Sequence, residues 1–161
     1  MSTTNQSKYG TNGQAITCTV ASLGNTSARV ATAIDNTSNL FLDALVFLKL
    51  KTGASGVAST GQINVYAIGM VDGGTTYTEN AGSTDAAVTL TSPPNARLIG
   101  VINAVANATT YYGGPFSVAQ AFGGNLPDHW SIIVENQTGA ALDSTPGNHF
   151  IKYQGVESQN G

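Results

Sequence analysis

The sequence predicts an all-β protein: an antiparallel two-sheet β-sandwich, jelly-roll-like, of about eight or nine strands. Three observations lead there. Apolar residues alternate with period two in segments such as 28–35 and 62–71. These segments are short, often β-branched or aromatic, and bounded by Gly, Pro and Asn turn residues. No helical pattern alternates with them, as a parallel-sheet protein would require. A chain of 161 residues fits one domain and can bury a core without staples. We divide it into a polar N-terminal arm (1–14), a single sandwich (15–156) and a short polar tail (157–161).

The arm, MSTTNQSKYGTNGQ, reads alone as a flexible segment too polar to fold. Residues 15–23 form the first expected strand, with Ile16, Cys18 and Val20 on one face and Gly24-Asn25 as the turn that ends it. Residues 28–35 pair with it, and the polar run 35–39 leads into the most apolar stretch of the chain, 40–51 (LFLDALVFLKLK). There Leu40, Leu42, Ala44, Val46, Leu48 and Leu50 share one parity, and Asp43, Lys49 and Lys51 the other. A helix is the rival reading, capped by Ser38 or Asn39 and stopped by Gly53. We read a strand, because a helical wheel leaves apolar groups all round.

Residues 52–61 are a small-residue loop, and 62–71 are a strand apolar on both faces. Asp72-Gly73-Gly74 turns into the polar stretch 75–85, before a short strand at 86–91 ended by Pro93-Pro94. The strand 96–105 contains Gly100, which signals a bulge or a close contact. Residues 109–115 (TTYYGGP) read as a loop whose tyrosines either anchor a contact or pack inward. Residues 116–122 fit a strand or one helical turn, and alternation favours the strand. Residues 129–136, around Trp130, and 149–154 supply the last strands, with a short segment at 140–142 between them.

Composition narrows the function. Only 9% of residues are charged, against roughly 25% in an ordinary soluble domain, so Thr, Ser, Asn, Gln and Gly must cover the surface. The net charge is −3 and the six basic residues are scattered in sequence, which gives no footprint for nucleic acid. The single cysteine, Cys18, excludes an intrachain disulfide and a cysteine-based zinc site, and its place in a strand suits a buried thiol. No secretory signal and no apolar run of about 20 residues is present, so we expect a soluble product of the cytosol with no membrane partner.

Candidate chemistry is thin. His129 and His149 lack metal-pair spacing, and Asp35, Asp43, Asp72, Asp85, Asp128 and Asp143 mostly sit in or beside turns, where a carboxylate bonds backbone amides. Nucleophile-elbow, P-loop and dinucleotide fingerprints are absent. We expect no enzyme, no catalytic residue, no cofactor and no metal.

The segments 27–36 (SARVATAIDN), 39–44 (NLFLDA), 66–77 with its DGGTTY, 97–101 (RLIGV), 115–124 (PFSVAQAFGG) and 130–142 together resemble small jelly-roll virion structural proteins of tailed bacteriophages. The resemblance runs through most of the chain. It implies a capsid decoration, or cement, protein that sits as a homotrimer on the outer surface of the head and stabilises contacts between major capsid protein subunits. A tail, collar or baseplate component shares the same features, and a carbohydrate-binding or adhesin-like module is the alternative of another class. Apolar residues on both faces of 40–51 and 62–71 add the expectation that a second chain covers what one interior cannot.

Overall fold

The computed structural model describes residues 5–73 and 75–160. Met1 to Thr4, Gly74 and Gly161 lie outside the described residues, and with them the start of the arm, the end of the tail and part of the Asp72-Gly73-Gly74 turn. Eleven strands are present among the described residues: β1 (Asn5–Tyr9), β2 (Gln14–Ala15), β3 (Ala28–Val30), β4 (Ile34–Asp35), β5 (Asp43–Lys51), β6 (Gln62–Gly69), β7 (Ala86–Val88), β8 (Arg97–Asn103), β9 (Thr110–Ser117), β10 (His129–Gln137) and β11 (Phe150–Asn160). They form two antiparallel sheets. The first runs β1-β11-β5-β9, with β2 also on β11; the second runs β7-β3-β10-β6-β8, with β4 also on β10. The N-terminal strand β1 pairs with the C-terminal strand β11 in the first sheet, and β10 sits between β3 and β6 in the second, so a two-sheet β-sandwich is built from pairings distant in sequence.

The core lies between the sheets. On β5 the residues Ala44, Val46, Leu48 and Leu50 are buried and the intervening ones half-buried, as period two demands. Trp130 on β10 meets Tyr153 on β11 edge to face, with centroids 5.4 Å apart, and ties one sheet to the other. At the open edge the Phe116 ring lies over Gly100, where an added Cβ would overlap it, and the Ile102 side chain fills the space over Gly113 in the same way. Gly100 also stands at a register shift in β8, where Val65 pairs with Gly100 and Tyr66 with Leu98, so both expected meanings of that glycine hold.

Several boundaries differ from the sequence reading. Parts of the arm and tail form strands: Asn5–Tyr9 pairs residue by residue with 156–160. Residues 16–23 keep Ile16 and Val20 buried but make no ladder, and 28–35 is interrupted at 31–33. Residues 110–115 belong to β9 and not to a loop, while 119–122 form a short 3-10 helix and not a strand. The strand expected at 40–51 begins at Asp43.

One correction bears on function. The outward face of β6 is buried by this chain itself. Tyr66 and Ile68 join Ala28, Val30 and Ile133 under Tyr77, Ala81 and Ala96, which belong to the long excursion between β6 and β8. That excursion is clasped by Glu79, whose carboxylate accepts the backbone N–H of Thr91 (2.9 Å), Asn95 and Ala96 (2.9 Å). Burial alone would raise the Glu79 pKa, but these bonds outweigh it and hold the carboxyl below its usual value. A second core within the chain therefore replaces the expected second chain at β6.

Candidate functional site

The most distinctive surface lies where the two chain ends meet. β11 continues past its last partner on β5, the Asp43↔Val156 pair, and residues 157–160 are paired only with β1. The result is a two-stranded ribbon beyond the sheet. Lys8 Nζ and Glu157 Oε1 close across it at 2.9 Å. At its base Gly10 N donates to Gly155 O (2.9 Å), Gln154 Nε2 to Gly10 O (2.9 Å), and Tyr153 OH to Gln14 Oε1 (2.8 Å).

Beside the ribbon, residues 36–42 turn the expected pattern inside out. Buried Asn36 binds Phe41 twice: its Nδ2 donates to Phe41 O and its Oδ1 accepts Phe41 N, both at 2.9 Å. This amide acts as a substitute strand partner and draws the Phe41 ring inward, over Gly10 and Gly155. Leu40 is left at φ 53°, a left-handed conformation unfavourable for a leucine, and 72% exposed. Leu42 is 50% exposed and Tyr9 61%. The two leucines were expected in the core. A groove of about 510 Å³ separates ribbon from loop, lined by Lys8, Tyr9, Gln14, Asn39, Phe41 and Glu157. Such a surface holds no reactive constellation; what it offers is apolar contact beside a paired backbone edge.

The residues weighed for chemistry are dispersed. His129 lies between Asp35 (Nε2 to Oδ1, 3.8 Å) and Asp128 (Nδ1 to Oδ2, 3.7 Å). The Asp35 carboxyl is lowered, first by the Thr37 hydroxyl and then by the Thr37 N–H. His149 bridges backbone: its Nδ1 accepts Lys51 N (3.4 Å) and its Nε2 donates to Asp143 O (2.9 Å). Asp143 is held well below the usual carboxylate range by Asn148 Nδ2 (2.7 Å), Thr145 N (2.9 Å) and the Lys51 ammonium (3.3 Å). Asp85 bonds Arg29 and Thr19 N, and Asp43 accepts Ala119 N at 2.8 Å. These carboxylates cap turns and join segments. Burial, reinforced by Asp85, pushes the Cys18 thiol up to about 12, against the opposing pull of Arg29. Among the described residues no three His, Cys, Asp or Glu side chains gather as a metal site.

The fold also collects charge that the sequence scatters. Lys49 and Lys51 on β5 and Lys152 on β11 all point away from the core, on the outer face of the first sheet, with Phe47, Tyr112 and Phe150. No family model matches this chain, and no curated protein or solved structure is significantly similar to it.

Proposed function

We propose that this protein is a bacteriophage virion structural protein, a capsid decoration (cement) protein that binds the outer surface of the head as a homotrimer. In this reading it stabilises contacts between major capsid protein subunits, catalyses nothing, and touches neither nucleic acid nor membrane. The observation that carries it is the terminal ribbon with its flanking Tyr9, Leu40 and Leu42. A two-stranded ribbon is marginal by itself in water, and a leucine in the left-handed region, turned toward solvent, costs stability that packing within the chain does not return. Both features fit a surface completed on assembly. The low charge and the jelly-roll-like sandwich support the same use. Many weak contacts of this kind, repeated over a lattice, bind by avidity.

The test is to purify particles with and without the protein and heat them. The cement reading expects genome release at a lower temperature from particles that lack it, and the same weakening when residues 1–9 are deleted from an otherwise folded protein. Equal thermal stability, or density for this chain in the tail alone, would remove the cement reading and leave a tail, collar or baseplate component. A glycan-binding module is less supported, because the single tryptophan, Trp130, is buried in the core.

A further inference from the structure

We propose that Lys49 and Lys152 of one protomer receive Asp35 and Asp128 of a second copy, so that the sandwiches dock head to tail. The inference deepens the trimer in the proposed function and is tested in solution, so either can fail alone.

The donor face is built around one ring. Lys49 Nζ lies 5.9 Å and Lys152 Nζ 4.9 Å from the centroid of Phe150. Lys49 and Phe150 are cross-strand neighbours, and Tyr112 faces Lys49 from the other side. Lys51, the next outward residue on β5, is already paired with Asp143 (3.3 Å). Among the described residues neither Lys49 nor Lys152 has a carboxylate within ion-pair distance; Lys49 Nζ donates only to Gly147 O (3.3 Å). Two like charges are thus held beside one aromatic ring, in a chain whose net charge is negative. That repulsion is relieved by an anion that reaches both.

The chain carries the complementary pair. Asp35 and Asp128 straddle the His129 imidazole, and their side chains are 60% and 64% exposed. Each accepts local bonds on Oδ1, Asp35 from Thr37 and Asp128 from His129 N. Among the described residues neither faces a lysine or arginine, whereas Asp85 is paired with Arg29, Asp143 with Lys51 and Glu157 with Lys8, and Glu79 is buried in its clasp. A pair of positive charges about one ring faces a pair of negative charges about another, so one register satisfies both.

The two pairs cannot meet within one molecule. Asn36 N bonds Asp128 O, and the Asn36 side chain holds Phe41, which places the acidic pair at the Asp43 end of the sandwich. Lys49 lies about 20 Å further along β5, on the other sheet. Only a second copy brings them together. Because the two surfaces differ, the contact is heterologous and closes into a ring when its rotation permits. The exposed ring of Tyr112 beside Lys49 supplies the apolar part of the contact.

Sedimentation equilibrium of the full chain at low and high salt tests this, with Lys49→Glu/Lys152→Glu, Asp35→Lys/Asp128→Lys and the quadruple charge swap. Circular dichroism checks that each is folded. We expect a salt-sensitive oligomer, at least about tenfold weaker association for either double variant, and recovery in the quadruple. A monomeric wild type at low salt, unchanged mass in a folded double variant, or no recovery on swapping would overturn it. So would a monomer that loses particle binding when the lysines are reversed, which would assign the lysine face to an acidic partner protein. If the aspartate variant fails to fold, the lysine variant decides by its mass alone.

Discussion

The Phe41 ring occupies the space that a side chain on Gly155 would need, and that single relationship sets the geometry of the whole ribbon end. Phe41 goes in because the Asn36 amide holds its backbone, and Leu40 and Leu42 go out as a consequence. Gly155→Ala should therefore destabilise the protein by about 1–3 kcal/mol, the usual cost of overpacking. Urea unfolding measures it. A variant as stable as the wild type would mean that Phe41 is free to move aside.

Glu79 gives a pH signature. Its pKa is lowered in the folded state, so its contribution to stability is present above the unfolded value and is lost as pH falls through the folded one. Below about pH 4 the clasp on Thr91, Asn95 and Ala96 should weaken. Replacing Glu79 with Gln should cost about 1–3 kcal/mol at neutral pH, and the deficit should shrink on acidification. Chemical denaturation of both proteins between neutral and strongly acidic pH checks this. Parallel stability curves would show that the clasp contributes nothing through its charge.

Cys18 should be inert. With its thiol pushed up to about 12, the thiolate is scarce at pH 8, so a disulfide reagent should label the native protein slowly and the unfolded protein fast. Cys18 is only half-buried, so rapid stoichiometric labelling under native conditions would show that the reagent reaches it and that its thiol is not held protonated.

Period two carried most of the fold. It located the buried residues of β5 and the strands β6 and β10, because in each the backbone ladder and the apolar pattern agree. It failed where something other than a strand partner holds the backbone. Leu40 and Leu42 have the right parity for the core, but the Asn36 side chain bonds Phe41 in place of a strand and reverses the facing. Residues 16–20 alternate in burial with no ladder at all. The cover over β6 was illegible for another reason: Tyr77, Ala81 and Ala96 are spread through a polar, Gly- and Pro-rich stretch with no period to detect. The ribbon was hidden because neither end is apolar, and its partner lies at the opposite end of the chain.

His149 should prove to be a structural residue. Its two ring nitrogens join Lys51 N to Asp143 O, so alanine removes both bonds and frees the turn before β11. A loss of about 1–2 kcal/mol is expected, read as a lowered melting temperature. An unchanged melting temperature would show that neither bond contributes.

Leu40 separates stability from attachment most cleanly. Its left-handed backbone suits asparagine better than leucine, and its side chain is mostly in solvent, so little packing is lost on replacement. Leu40→Asn should leave the isolated protein as stable as before, or more stable by up to about 1 kcal/mol. If the leucine is kept in a strained conformation for a contact made on assembly, the same variant should bind particles more weakly and protect them less against heat. Leu42→Ser, exposed but unstrained, should weaken binding without the gain in stability. Thermal unfolding of the free proteins and co-sedimentation with particles that lack them measure the two effects separately. Full binding by both variants would remove the apolar knob from the attachment surface, and the ribbon edge alone would then have to carry it.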